Sequence, residues 1–157
     1  MLSPMTIERM AQVSELIVEG RTASSWSAWD MQRSTILTYS RFQVTRTLKG
    51  VAAEKIIIKQ IGGHAEGYSV RVAGVRYLQP GEEHVLFLHP SMAADGTFVI
   101  VGLAQGDFQV HPGATETTVS GGMPVLRQQS GGLPPSVGAE PLSVTQLEQR
   151  IRSAVSR

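Results

Sequence analysis

The chain has 157 residues with 14 Lys plus Arg, 13 Asp plus Glu and no cysteine. That length fits one domain, which buries roughly 68–70% of the surface its unfolded form exposes, enough for a core without staples. Balanced charge argues against a strong nucleic-acid or polybasic membrane footprint. Lack of cysteine removes disulfides, thiol catalysis and thiolate metal sites, and no run of 18 apolar residues is present to span a bilayer.

Met1-Leu2-Ser3-Pro4-Met5 lacks the basic stretch and apolar run of a secretory signal. It reads instead as a helix start, with Ser3 as N-cap, Pro4 at the first helical position and Leu2 stapled onto Ile7. Ile7, Met10, Ala11 and Ser14 share one mostly apolar face, so this helix is expected to lie on the rest of the fold. A first strand follows over 16–22, then a polar loop over 24–34 that holds Trp26 and Trp29. A long β-rich run covers 35–49. In it Phe42 and Val44 alternate with Gln43 and Thr45 until Arg46 falls where an apolar residue is due, which predicts a bulge.

Residues 54–61 form a third strand, with Ile56 and Ile58 on one face and Lys55 and Lys59 on the other. Gly62-Gly63-His64-Ala65-Glu66-Gly67 is a glycine-rich connection, and Val70 and Val72 alternate in a short strand before Gly74. Pro80-Gly81 makes a turn. Val85-Leu86-Phe87-Leu88 is apolar on both faces and therefore central or covered. Asp95-Gly96 is a hairpin signal leading into 98–101, and a last strand spans 108–110. Phe42 and Phe87 are both expected to point into the barrel.

From 112 to 142 the composition turns to Gly, Pro, Ser and Thr, the mark of an extended, mobile arm. It ends in a helix with a capping box of Ser143 and Gln146, Leu142 stapled onto Leu147, and a docking stripe of Leu147, Ile151 and Val155. The expected organisation is thus a helix plus barrel over 1–111, an arm over 112–142 and a C-terminal helix over 143–157. Five or six strands near ten-residue spacing, with no βαβ rhythm, give a mainly β fold: a small five- to six-stranded OB-like barrel flanked by a short helix at each end.

No catalytic constellation stands out. His84 and His89 are five apart on one strand and project to opposite faces about 17 Å apart. His64 and His111 have no ligand-like spacing, so no metal site and no cofactor are expected and the histidines are read as solvated or edge residues. Gly62–Gly67 lacks the Lys-Ser/Thr pair and the following helix of a phosphate loop. An enzyme would need the fold to gather His64, Glu66 and Asp107 into one cleft. Tryptophan in a polar loop suits a binding anchor, although at least one of the two is expected to close the barrel end. Tyr39, Arg41, Lys55 and Lys59 fall on one outer face. This would serve single-stranded nucleic acid, but the sparse aromatics and balanced charge favour a solvated sheet face.

The order of motifs carries a resemblance. Leu16-Ile17-Val18-Glu19-Gly20-Arg21 comes first, then Phe42-Gln43-Val44 running to Leu48-Lys49-Gly50, then Val72-Ala73-Gly74. Pro80-Gly81-Glu82-Glu83-His84-Val85-Leu86-Phe87-Leu88 and Val101-Gly102-Leu103-Ala104-Gln105-Gly106 complete it. Over residues 14–110 this resembles a group of bacterial proteins, mostly carrying export signals, whose strand order is similar to the netrin-like module. That module is the OB-type barrel of the tissue inhibitors of metalloproteinases. The resemblance implies the barrel, an extracytoplasmic setting and a protein partner such as a metalloprotease. The inhibitors' zinc-chelating first cysteine has no counterpart here, so no functional residue transfers. Their contact ridge corresponds to residues 24–34 and 62–69, which makes Trp26, Trp29 and His64 the expected binding residues.

Overall fold

The computed structural model describes residues 4–113, 116–121 and 142–156. Its first element is α1 (Ile7–Val13), capped by Thr6, whose hydroxyl accepts from the Arg9 amide. The helix therefore starts three residues later than a Ser3 cap would place it. Pro4 to Thr6 lie outside it, and the Met5 amide donates to the Gln105 side chain at 2.7 Å, which fixes this stretch away from the helix. Leu2 and Ser3 fall outside the described residues.

Five strands form a partly closed ring: β1 (Leu16–Trp29), β2 (Ile36–Lys49), β3 (Lys55–Ile61), β6 (Glu83–Pro90) and β7 (Phe98–Ile100). Their order is β1-β2-β3-β7-β6, and β6 pairs back onto β1. The closure between β3 and β7 is one parallel pair, Ile58 with Phe98. From β6 the sheet continues outward through β8 (Asp107–His111), β9 (Thr118–Gly121) and β10 (Leu142–Ser143).

A small hairpin, β4 (Gly63–Ala65) with β5 (Tyr68–Val70), stands where the sequence suggested a loose connection and a strand reaching Val72. Its two-residue turn puts Glu66 and Gly67 at positive φ, 51° and 82°, the geometry that matches strand twist. Gly63 packs so closely on β1 and β2 that a Cβ there would sit 2.3 Å from the Thr38 hydroxyl.

The predicted bulge in β2 is present. Pairing with β1 slips between Ile17 and Val18 and again between Glu19 and Gly20, so Leu48 and Thr45 are the extra residues. Gly20 sits at this corner because a Cβ there would lie 2.1 Å from the Gln43 carbonyl oxygen. These bulges coil the hairpin and let β1 serve two neighbours, β2 and β6.

The strand alternation builds two cores instead of one. Leu16, Val18, Phe42, Ile58, Leu86 and Leu88 fill the ring. Ile17, Val85, Phe87 and Phe108 face outward and are roofed by α1 and by α2 (Val144–Val155) through Leu147 and Ile151. Phe87 therefore does not point into the barrel as Phe42 does. Successive residues of β6 face opposite sides, and both sides are covered. The C-terminal helix has the expected capping box between Ser143 and Gln146. The expected mobility of the arm concerns mostly residues outside the described ones, but within that span Thr118–Gly121 is the ordered strand β9.

Candidate functional site

Residues 24–29, expected in a loop, instead extend β1 beyond the ring. Ser24 to Trp29 pair with Ile36 to Arg41. Their small polar side chains do not break the strand because they bond across it: Ser25 to Ser40 at 3.1 Å and Ser27 to Thr38 at 2.9 Å. Only the tip turns, where Asp30 accepts from the Ser34 amide at 2.7 Å and from its hydroxyl at 2.6 Å. These bonds hold the Asp30 carboxyl below its usual pKa.

Trp26 and Trp29 are three residues apart on one strand and so face opposite sides. Trp26 pairs with Tyr39 on the outer wall and is 38% exposed. Its ring stacks on Tyr39 at 5.5 Å with 17° between planes, and the Arg41 guanidinium lies 4.7 Å from its centre. Trp29 pairs with buried Ile36 and meets Tyr68 of β5 edge-on at 5.6 Å. Arg33 sits 5.2 Å from that ring, and the indole Nε1 is buried without a hydrogen-bond partner.

His64 stands on β4, its Nδ1 2.5 Å from the Ser69 hydroxyl. It lines a cleft of about 840 Å³ with Ser27, Thr38, Arg71 and Tyr77 among the other walls. The β4–β5 hairpin thus brings Trp29 and His64 to one end of the barrel, while Trp26 is on the outer wall. The His64, Glu66 and Asp107 grouping does not form. Glu66 pairs with Arg33 at 2.9 Å, and Asp107 is fully buried among other partners.

Those partners form a network that the sequence reading missed. His84, far from being a solvated histidine, is 1% exposed. Its Nδ1 hydrogen-bonds Asp107, and its Nε2 lies 3.1 Å from Glu82. Arg76 donates to the Asp107 carbonyl at 2.8 Å, and Gln109 to Glu82 at 3.1 Å. Burial favours the neutral imidazole, but Asp107 and then Glu82 outweigh it and hold His84 above its usual pKa. The clue in the sequence was register: His84 directly precedes the apolar run that β6 carries into the core.

A second charged junction joins α2 to the ring. Glu148 is buried and takes a 2.8 Å bond from Arg46. Glu19 faces it, and its pKa is pushed up to about 7 by burial, then by the Glu148 carboxyl and Glu83, with Arg46 opposing.

Among the described residues no three His, Asp or Glu side chains group as metal ligands. Among the same described residues no helix is long and apolar enough to cross a membrane. No family model matches the sequence, and no curated protein is significantly similar to it.

Proposed function

We propose that the chain is a non-catalytic module that binds a protein partner, built on an OB-type barrel. The fold reading rests on the ring order, with the fourth and fifth ring strands exchanged, in keeping with a five-stranded, partly open Greek-key barrel. Barrels of that class bind oligonucleotides and oligosaccharides on the face of strands two and three and on the loops joining strands one to two and four to five, and the same surface is open to a protein. The β1–β2 hairpin occupies that position here.

The observation that carries the functional reading is Trp26. A 38% exposed indole, already stacked on Tyr39, is a rigid anchor that loses little side-chain freedom on binding. The non-catalytic part is supported by the burial of His84, which is 1% exposed and so closed to a substrate. The netrin-like resemblance adds an extracytoplasmic setting and a metalloprotease as the partner class.

The test places a photo-crosslinking residue at Ser24, beside Trp26, and identifies the captured protein by mass spectrometry. Its affinity is then measured against wild type and Trp26→Ala, and a zinc metalloprotease panel is assayed for stoichiometric inhibition. The reading requires a saturable partner that weakens with Trp26→Ala. A crosslinked partner indifferent to Trp26 would count against it.

The second reading is single-stranded nucleic acid, favoured by the Trp26, Tyr39 and Arg41 grouping on the outer wall. Filter retention of an oligonucleotide that falls steeply with salt would select it.

A further inference from the structure

The outer wall of β1, β2 and β3 changes character along the strand direction. At one end Gln43 lies opposite Lys55, and Arg41 opposite Ile57. The middle holds Trp26, Tyr39 and Lys59 in one row. At the other end Ala28, Leu37 and Ile61 form an aliphatic row. Rows on one face step by two residues, about 7 Å, so the wall runs about 20 Å from Lys55 to Ile61.

Charge follows the same gradient. Arg41 and Lys55 are exposed, and neither has a carboxylate partner among the described residues. Lys59, in the middle, is already neutralised by Asp95 at 2.9 Å. The far row carries no charge, and its Ile61 is 41% exposed. One end of the wall therefore attracts carboxylates and the other attracts apolar side chains.

We propose that this wall receives an extended polypeptide segment of about six residues, acidic at one end and apolar at the other. Its carboxylates lie over Arg41 and Lys55, and its apolar side chains lie over Leu37 and Ile61. This rests on the protein-binding reading and names the chemistry of the partner.

Arg41 is the group that fixes the acidic end. Held against the indole, its guanidinium is already ordered and still presents N–H donors suited to a carboxylate. A nucleic-acid strand fits less well. Phosphates running along the wall would meet no unpaired cation past Arg41, because Lys59 is taken by Asp95 and the far row is uncharged.

The test selects a random dodecapeptide display library on the immobilised full chain and measures the recovered peptides by fluorescence anisotropy. Sequences with two or more Asp or Glu on one side of an apolar cluster are expected. Arg41→Ala and Trp26→Ala should each weaken them about tenfold or more, as should replacing the peptide's Glu by Gln. Arg41→Gln serves as a second variant, thermal melting verifies that each is folded, and Gln149→Ala on the exposed face of α2, which covers the other core, should bind as wild type.

Peptides that depend on Trp26 but lack acidic residues, or ignore both Arg41 variants, would overturn this inference and leave the protein-binding reading standing. Recovery of no Trp26-dependent peptide would remove both. A twelve-residue oligothymidylate that binds more tightly than every peptide would overturn the polypeptide assignment. So would self-association of the chain that Trp26→Ala abolishes.

Discussion

Glu19 on β1 and Glu148 on α2 face each other where the C-terminal helix meets the ring, with Arg46 as the nearby cation bonded to Glu148. Burial, and then the neighbouring Glu148 carboxyl, favour Glu19 in its protonated form. The helix roofs the second core, so this proton bears on how firmly that core stays covered.

The sign follows from the raised folded pKa. Glu19 goes from its ordinary 4.5 to about 7, so its contribution is fully present below pH 4.5 and is lost as pH rises through 7. Discounted for the solvent that reaches this partly exposed group, the loss is about 1–2 kcal/mol. Glu19→Gln keeps the shape without the titration. Its melting temperature should match wild type near pH 4.5 and exceed it by a few degrees at pH 8. Parallel curves for the two proteins would mean that Glu19 titrates normally.

His84 adds a separate pH dependence. Its raised pKa means a stabilising contribution that is intact below the ordinary histidine value of about 6.5 and fades as pH rises through the higher folded one. The Glu19→Gln background removes the lower window and isolates this one. Asp107→Ala removes the fully buried carboxylate that both His84 and Arg76 contact, and should cost about 3–5 kcal/mol by urea denaturation at pH 6. A cost under 1 kcal/mol would show that water replaces Asp107 and that the network is not sealed.

The two cores predict a difference between two equally buried phenylalanines. Phe42→Ala and Phe87→Ala should each cost about 3–5 kcal/mol. Phe87 lies against Phe108 at 5.7 Å in the core that the helices cover, whereas Phe42 fills the ring. Amide exchange over Val144–Val155 should therefore accelerate in Phe87→Ala well beyond the global destabilisation and not in Phe42→Ala. Equal acceleration in both would mean that ring and roof open as one unit.

Alternation and turn residues made most of the ring legible in the sequence. The apolar run at Val85–Leu88 revealed a strand covered on both sides, and the misfit at Arg46 revealed the bulge. The capping box at Ser143 fixed the start of the C-terminal helix. Less visible was anything decided by a partner distant in sequence. Ser24 to Ala28 read as a loop because Ser and Ala carry little strand preference, and their strand is held by hydroxyl bonds to β2. His84 looked like a surface residue because Asp107, which buries with it, is 23 residues away. The hairpin at Gly63–Val70 was hidden by its glycines, which are needed for close approach to Thr38 and for the turn.

The same misreading of 24–29 as part of a loop left the two tryptophans interchangeable, and the strand register separates them. Trp26 is held on the outer wall by Tyr39 and Arg41 and contributes nothing to either core, so Trp26→Ala should leave melting nearly unchanged. In a complex it should cost about 2 kcal/mol or more of partner affinity. Trp29 closes the barrel end against Tyr68 on the inward side of the same strand. Trp29→Ala should lower stability by about 1–3 kcal/mol and loosen the β4–β5 hairpin that carries His64. Fluorescence distinguishes them without a partner. In Trp29→Phe the remaining Trp26 should emit at long wavelength and be quenched readily by acrylamide, while in Trp26→Phe the remaining Trp29 should be bluer and less accessible. The opposite assignment would place Trp26 inward, and with it gone from the surface the binding wall would lose its anchor.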